Sequence, residues 1–163
     1  MSNNLNGLLK LLLDHNIDFL LVGGMAAILY GASQITHDVD VCMVVRPDQV
    51  ETLRRCLAPY HPVHRETPQK FSFLEIPQET SHLKNIYLQT DLGGLDILGE
   101  IAGVGNYENV LKNCIAVELY GHRCKLIGLE DLIKTKETLN RDKDKATLRE
   151  LRVILDRQKN PKN

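Results

Sequence analysis

The feature that most constrains this chain is a pair of aspartates, Asp38 and Asp40, in an otherwise apolar segment that ends at Val45. Side chains two residues apart on a strand point to the same face of a sheet. The β-branched residues of the segment predict a strand over residues 39–45, so both carboxylates are expected on one face. Two adjacent negative charges on an apolar strand indicate either a solvent-facing edge or a bound cation.

The residues before this strand supply the second part of the pattern. An apolar run over 18–22, predicted as a strand, ends in Gly23-Gly24, and a short predicted helix over 25–30 ends at Gly31. The two glycines permit a tight turn and let the backbone approach a ligand closely. Backbone N–H groups at the start of the helix would then bind phosphate oxygens. A tight turn without a ligand is the simpler interpretation, and the two are compatible.

A third carboxylate, Asp96, lies in the later apolar segment Gly94-Leu95-Asp96-Ile97-Leu98. Leu95 and Ile97 should face the core, which places Asp96 on the opposite face of its strand. Three carboxylates on neighbouring strands suit Mg²⁺, which prefers oxygen ligands, with Mn²⁺ as an alternative. Such a cluster suits phosphoryl or nucleotidyl transfer, in which metal ions neutralise phosphate charge. The alternative is a carboxylate at the edge of a hairpin.

The chain as a whole predicts one domain over residues 1–163, of the α/β (α+β) class. We expect a small mixed sheet flanked by helices, with a core over about 18–126 and a C-terminal helical pair over about 129–157. Further helices are predicted over 4–14, 47–57 and 107–112, and further strands over 71–76, 85–90, 95–98, 114–119 and 122–126. Turn residues at 91–94 and 120–121 predict two hairpins.

The composition is that of an ordinary globular chain, with 43% hydrophobic residues, 25% charged residues and a net charge of −1. No apolar run reaches the ~20 residues of a membrane span, and the N-terminus lacks a signal-peptide pattern. The four scattered cysteines favour reduced thiols in a cytoplasmic protein. Residues 134–163 contain ten Lys or Arg and five Asp or Glu. This basic excess suits phosphate or RNA contact, or simply a solvated helix.

Together these motifs resemble the nucleotidyltransferase superfamily with a DNA polymerase β-like core, over about residues 18–157. More narrowly, the chain is similar to small stand-alone nucleotidyltransferases related to abortive-infection toxins and to minimal-nucleotidyltransferase antitoxins. Their pattern is Gly-Gly or Gly-Ser, a helix, Asp-x-Asp on the next strand and a carboxylate on a later strand. Its counterparts are Gly23-Gly24, Asp38-Val39-Asp40 and Asp96. The segments LEDLIKTK at 129–136 and RDKD at 141–144 also resemble that subfamily.

The resemblance implies a nucleotidyltransferase-like fold and a magnesium-dependent enzyme. It would transfer a nucleoside monophosphate from a nucleoside triphosphate such as ATP to a hydroxyl group of a protein or an RNA. Asp38, Asp40 and Asp96 would bind the metal and act as the catalytic carboxylates. The residues expected to contact the nucleotide are Gly23, Gly24, Thr36, Lys136, Arg141 and Lys143.

The chain departs from the subfamily pattern at two positions. Gln34 stands where an Arg is expected, and Gly24 stands where many active members have Ser. Each change removes a contact to phosphate. Two other functions therefore stay open: a catalytically weak or inactive antitoxin or partner-binding protein of this fold, paired with a cognate toxin or antitoxin, and a toxin that modifies transfer RNA.

Overall fold

A computed structural model describes residues 3–75 and 84–162 of the chain. Within these residues the architecture is a mixed sheet of seven strands with six α-helices, which confirms the predicted α+β class. The helices are α1 (Leu5–Asp14), α2 (Gly23–Tyr30), α3 (Pro47–Leu57), α4 (Tyr107–Leu111), α5 (Leu129–Leu139) and α6 (Lys145–Lys159). The strands are β1 (Leu20–Val22), β2 (Asp38–Cys42), β3 (Val63–His64), β4 (Asn85–Thr90), β5 (Gly93–Leu98), β6 (Glu100–Ile101), β7 (Gly105–Asn106), β8 (Ile115–Leu119) and β9 (His122–Leu126).

The strand order of the large sheet is β3-β4-β5-β2-β1-β9-β8, and β6 pairs separately with β7. Strand β2 runs parallel to β5, and β1 runs parallel to β9. The other neighbouring strands of the large sheet are antiparallel. Because β2 lies directly beside β5, the two segments that contain aspartates are adjacent although more than fifty residues separate them.

Alternation along the central strands decides which side chains enter the core. Val39 and Val41 of β2, and Leu95 and Ile97 of β5, are almost fully buried. The residues between them therefore point to the other face of the sheet. This confirms the prediction that Asp38, Asp40 and Asp96 share a face.

Local sequence signals explain several element ends. The Asn4 side chain accepts a hydrogen bond from the Gly7 N–H at 2.9 Å and caps α1. Helix α2 ends at Gly31, whose φ of 108° lies in the left-handed region that glycine adopts readily. The hairpins β4–β5 and β8–β9 close where they were predicted, and Tyr120 and Gly121 both have positive φ in the second one.

Several predicted features differ from the structure, including the start of β1 at Leu20 rather than at residue 18. The strand expected over 71–76 is wrong in its described part, because residues 71–75 make only one isolated bridge, between Val63 and Ser72, before the chain turns. Ile76 lies outside the described residues. Strand β2 ends at Cys42 rather than Val45, and α2 already begins at Gly23.

The composition also leads to predictions about the state of the cysteines and about membrane spans. All four cysteines are free thiols, and three of them are buried. Within residues 3–75 and 84–162, no helix has the length and apolar character needed to cross a bilayer.

Candidate active site

The three predicted aspartates meet on one face of the sheet. Asp40 lies directly opposite Asp96 in the β2–β5 register, and Asp38 lies opposite Gly94. The row of paired residues that contains Asp40 and Asp96 continues across the sheet to Val22 on one side and to Tyr87 on the other. We call Asp38, Asp40 and Asp96 the carboxylate cluster. The cluster forms because two strands in which polar and apolar residues alternate lie next to each other in the sheet.

Glycines surround the carboxylate cluster where a side chain would not fit. A Cβ atom at Gly23 would collide with the Asp40 carboxylate, and Gly23 also has a φ of 67°. A Cβ atom at Gly94 would collide with Asp38 Oδ1. The main chain of Gly24 lies close enough to Asp40 to lower the pKa of its carboxyl. The glycine pair therefore supports Asp40 directly, which the sequence pattern alone did not indicate.

The electrostatic state of the cluster is set by burial and mutual repulsion. Burial and the repulsion of the nearby Asp96 and Asp38 carboxylates together raise the pKa of Asp40 to about 7, against the opposing influence of the Gly24 main chain. Burial also raises the pKa of Asp96, which the ion pair with Arg65 partly opposes. Like charges at this spacing disfavour joint ionisation. The cluster therefore has a surplus of negative charge that a cation would stabilise.

Arg65 is a member of the site that sequence reasoning missed. Its Nη2 lies 2.6 Å from Asp96 Oδ1, and its Nη1 lies 3.4 Å from Asp38 Oδ1. The guanidinium also lies over the ring of Tyr87, 5.8 Å from its centroid. Arg65 follows the two-residue strand β3, for which the sequence had no clear signal, so no pattern indicated that it would reach the aspartates.

A cavity of about 330 Å³ opens beside Asp40 and Asp96. This volume lies at the lower end of the range of small-molecule sites. Apolar side chains from the sheet and from α5 form much of its lining: Val22, Leu98, Ile101, Ile127, Leu132 and Leu139. Gly23, Tyr87, Lys136 and Arg141 also line it. The cavity lining thus combines the carboxylates of Asp40, Asp96 and Glu100 with the cationic side chains of Lys136 and Arg141.

A buried aspartate, Asp144, forms ion pairs with both cationic side chains of the cavity lining. Lys136 Nζ lies 3.2 Å from Asp144 Oδ1, and Arg141 Nε lies 2.6 Å from Asp144 Oδ2. The side chains of Lys136 and Asp144 are 4% and 6% exposed, whereas that of Arg141 is 45% exposed. We call these three residues the cation cluster. Asp144 is the last residue of the RDKD segment. The family resemblance predicts no role for the acidic residues of that segment.

Some predicted nucleotide contacts lie elsewhere. Lys143 is exposed and does not line the cavity, because it lies in the single 3₁₀ turn Asp142–Asp144, which directs Asp144 inward instead. The Thr36 hydroxyl donates to the main-chain oxygen of Asp38 at 3.1 Å. Thr36 lines a separate surface groove that also includes Gln34.

Gln34 and Gly24, the two departures from the subfamily pattern, are spatial neighbours. A Cβ atom at Gly24 would lie 2.7 Å from Gln34 Nε2 and 2.8 Å from Thr36 Oγ1. A serine at position 24 would therefore need these side chains to move. Gln34 Oε1 is buried and has no hydrogen-bond partner in the described part of the chain.

The carboxylate cluster offers few ligands to a metal ion. In residues 3–75 and 84–162, no group of three or more His, Cys, Asp or Glu side chains is arranged to hold one. Two of the three clustered aspartates, Asp38 and Asp96, instead contact Arg65. Mg²⁺ is, however, often held by one or two carboxylates together with substrate phosphates and water. Asp40 and Asp96 fit that smaller requirement, because both line the cavity.

No protein-family model matches the chain, and no curated protein matches it.

Proposed function

We propose that this protein is a magnesium-dependent nucleotidyltransferase that binds a nucleoside triphosphate in the cavity beside Asp40 and Asp96. The observation that carries the proposal is the pairing of opposite charges across one small cavity. The carboxylates of Asp40, Asp96 and Glu100 line a space of about 330 Å³ together with a lysine and an arginine. A nucleoside triphosphate with its magnesium ion needs both kinds of group, because its phosphates are anionic and its metal is cationic.

Each group then has a distinct task. Asp40 and Asp96 would hold Mg²⁺, which when bound neutralises phosphate charge and aligns the reacting oxygen. Arg141, the accessible member of the cation cluster, would bind phosphate oxygens, and the buried Lys136 would add positive charge behind it. The apolar lining from the sheet and α5 suits a nucleobase or sugar face. The acceptor hydroxyl would attack the α-phosphorus, and pyrophosphate would leave.

The direct test measures pyrophosphate release and label transfer from α-labelled ATP, CTP, GTP and UTP with Mg²⁺. Acceptors are the protein itself, transfer RNA and a co-expressed partner protein. We expect Asp40→Asn and Asp96→Asn each to lower turnover by roughly 10²–10³-fold, the usual cost of losing a group that stabilises transition-state charge. Asp48→Asn is the matched control, because this carboxylate is 69% exposed on α3 and outside the cavity.

Two results would contradict the proposal. One is turnover by Asp40→Asn equal to that of the wild type. The other is a failure of every triphosphate to bind in the presence of Mg²⁺, measured by calorimetry. Label on transfer RNA would favour the RNA-modifying toxin within the same reaction class.

A non-catalytic partner-binding protein is the second candidate, and one observation favours it. Ile35 is 85% exposed, and Ile28 of helix α2, which lines the same groove, is 38% exposed. Exposed apolar side chains that lie together are typical of protein contacts. Nucleotide binding without turnover, combined with a stable complex that Ile35→Ser abolishes, would support this candidate over the enzyme.

A further inference from the structure

Arg65 is fixed in the site by its backbone as well as by its charge. Its N–H donates to the main-chain oxygen of Tyr87 at 2.9 Å, so Arg65 extends the row of side chains formed by Asp40, Asp96 and Tyr87. From there the side chain reaches back across the Tyr87 ring to the carboxylates. Its Nη1 also donates to the main-chain oxygen of Leu88 at 3.3 Å. The guanidinium therefore has partners on several sides and is 25% exposed.

The sheet leaves space for this ion pair at one position. Gly94 lies opposite Asp38 in the β2–β5 register. A Cβ atom at Gly94 would collide with Asp38 Oδ1 and lie 2.9 Å from Arg65 Nη1. The contact between Asp38 and Arg65 thus occupies the volume that any other residue at position 94 would fill.

The carboxylate cluster is consequently divided into two parts. Asp38 faces Arg65, and neither of these two residues lines the cavity. Asp40 lines the cavity and has no Lys, Arg or His within ion-pair distance in the described chain, while Asp96 is shared between the cavity and Arg65. A paired metal site, with two ions ~3.5–4 Å apart, would need Asp38 as a free ligand.

We propose that Arg65 is a permanent internal cation that takes the place of a second metal ion, so that the cluster binds a single divalent ion through Asp40 and Asp96. This inference rests on the proposed metal-dependent function and specifies its metal content. Arg65 already contacts Asp38 and Asp96, and only Asp40 and Asp96 of the cluster line the cavity in which the ion would bind. Arg65 is a positioning residue in this arrangement, since it orients Asp38 and Asp96 and does not reach into the cavity.

The test counts bound Mn²⁺ on the full chain without nucleotide, by equilibrium dialysis and by electron paramagnetic resonance. The wild type should bind one Mn²⁺ with an uncoupled spectrum. Arg65→Gln should bind two, with the spin coupling expected of ions ~3.5–4 Å apart. Arg65→Lys should bind one, because it keeps the charge. Arg55→Gln is the control, since Arg55 is an exposed arginine of α3 that hydrogen-bonds to Thr52.

Asp38→Asn gives an independent measurement if Arg65→Gln melts too early to be titrated. Asp38 is not a ligand of the single ion, so this variant should still bind one Mn²⁺, with an affinity within roughly tenfold of the wild type for the loss of one nearby charge. Loss of all Mn²⁺ binding in Asp38→Asn would overturn the inference.

The outcomes separate this inference from the proposed function. Two coupled ions in the wild type, or one ion in both the wild type and Arg65→Gln, would overturn the single-ion arrangement and leave a metal-dependent enzyme standing. No Mn²⁺ binding in any variant would overturn both. A change from one ion to two on removal of Arg65 supports the inference whether or not turnover is detected.

Discussion

The cavity lies between two groups of charged residues with opposite surplus charge. The carboxylate cluster has three aspartates and the single guanidinium of Arg65. The cation cluster has Lys136, Arg141 and the single carboxylate of Asp144. In each group one residue of the minority charge contacts two residues of the majority charge. Both groups are therefore partly neutralised, and each keeps a surplus that faces the cavity.

The two clusters differ in how the minority residue is buried. Asp144 is 6% exposed and Lys136 is 4% exposed, so their ion pair is sealed from water. Arg65 is 25% exposed and Asp38 is 38% exposed, so that pair is partly solvated. Removing one partner of a buried ion pair leaves an uncompensated buried charge. Solvent screens the charge that is left when a partly exposed ion pair is broken. The cation cluster should thus matter more for folding, and the carboxylate cluster more for ligand binding.

The largest expected effect on stability is that of Asp144→Asn. The substitution leaves Lys136 buried without a counter-ion, which typically costs about 3–5 kcal/mol of unfolding free energy. Urea unfolding of the variant against the wild type measures this difference. Asp142→Asn is the control, because its side chain is 95% exposed and pairs only with Lys145, so a change under about 1 kcal/mol is expected. A loss below about 1 kcal/mol in Asp144→Asn would remove the contrast between the clusters.

The opposite sign is expected for Asp40→Asn in metal-free protein. The variant removes one of three mutually repelling carboxylates and keeps nearly the same side-chain shape. We expect an increase in unfolding free energy of about 0.5–2 kcal/mol in EDTA, as is usual when a functional site is neutralised. Mg²⁺ should then stabilise the wild type and not the variant. Destabilisation of Asp40→Asn in EDTA would show that the cluster is structural.

Acid should weaken the cation cluster through Asp144. Burial alone would raise the pKa of Asp144, but the contacts with Arg141 and Lys136 outweigh it and lower the pKa. A lowered pKa in the folded state gives stability that is complete above the unfolded value of about 4 and is lost as the pH falls through the folded value. Between pH 5 and pH 3 the wild type should therefore lose more unfolding free energy than Asp144→Asn. Equal losses would contradict the assigned ion pairs.

The parts of the fold and site that the sequence predicted are those fixed by local patterns. Alternation of valines with aspartates predicted that Asp38 and Asp40 share a face, and the same pattern placed Asp96. Glycine and turn residues predicted the two hairpins and the end of α2 at Gly31. In these segments the residue types that form the element also determine the side to which its charges point.

The parts that the sequence did not predict depend on contacts between distant segments. Arg65 reaches Asp96 from thirty-one residues away, out of a strand of two residues whose edge pairing is a tertiary effect. The RDKD segment was recognised, yet Lys143 points to solvent and Asp144 points inward, because a 3₁₀ turn rather than an α-helix presents them. No periodicity distinguishes these two orientations in a turn of three residues.

The smallest effect is expected for Gln34→Arg. This substitution tests whether positive charge added near the glycine turn strengthens nucleotide binding. Gln34→Arg restores the residue type of the subfamily beside Gly24, but position 34 lines the groove that contains Thr36 and not the cavity with Asp40. A screened charge at that distance is worth up to about 1 kcal/mol, so the Kd for ATP with Mg²⁺ should fall by no more than about fivefold. Calorimetric titration measures this, with Ile35→Arg as the control, because it adds the same charge at a neighbouring side chain that is 85% exposed. If Gln34→Arg tightened binding a hundredfold while Ile35→Arg did nothing, the guanidinium would be reaching the phosphates directly. The cation cluster would then not be the main site at which the cavity binds anions.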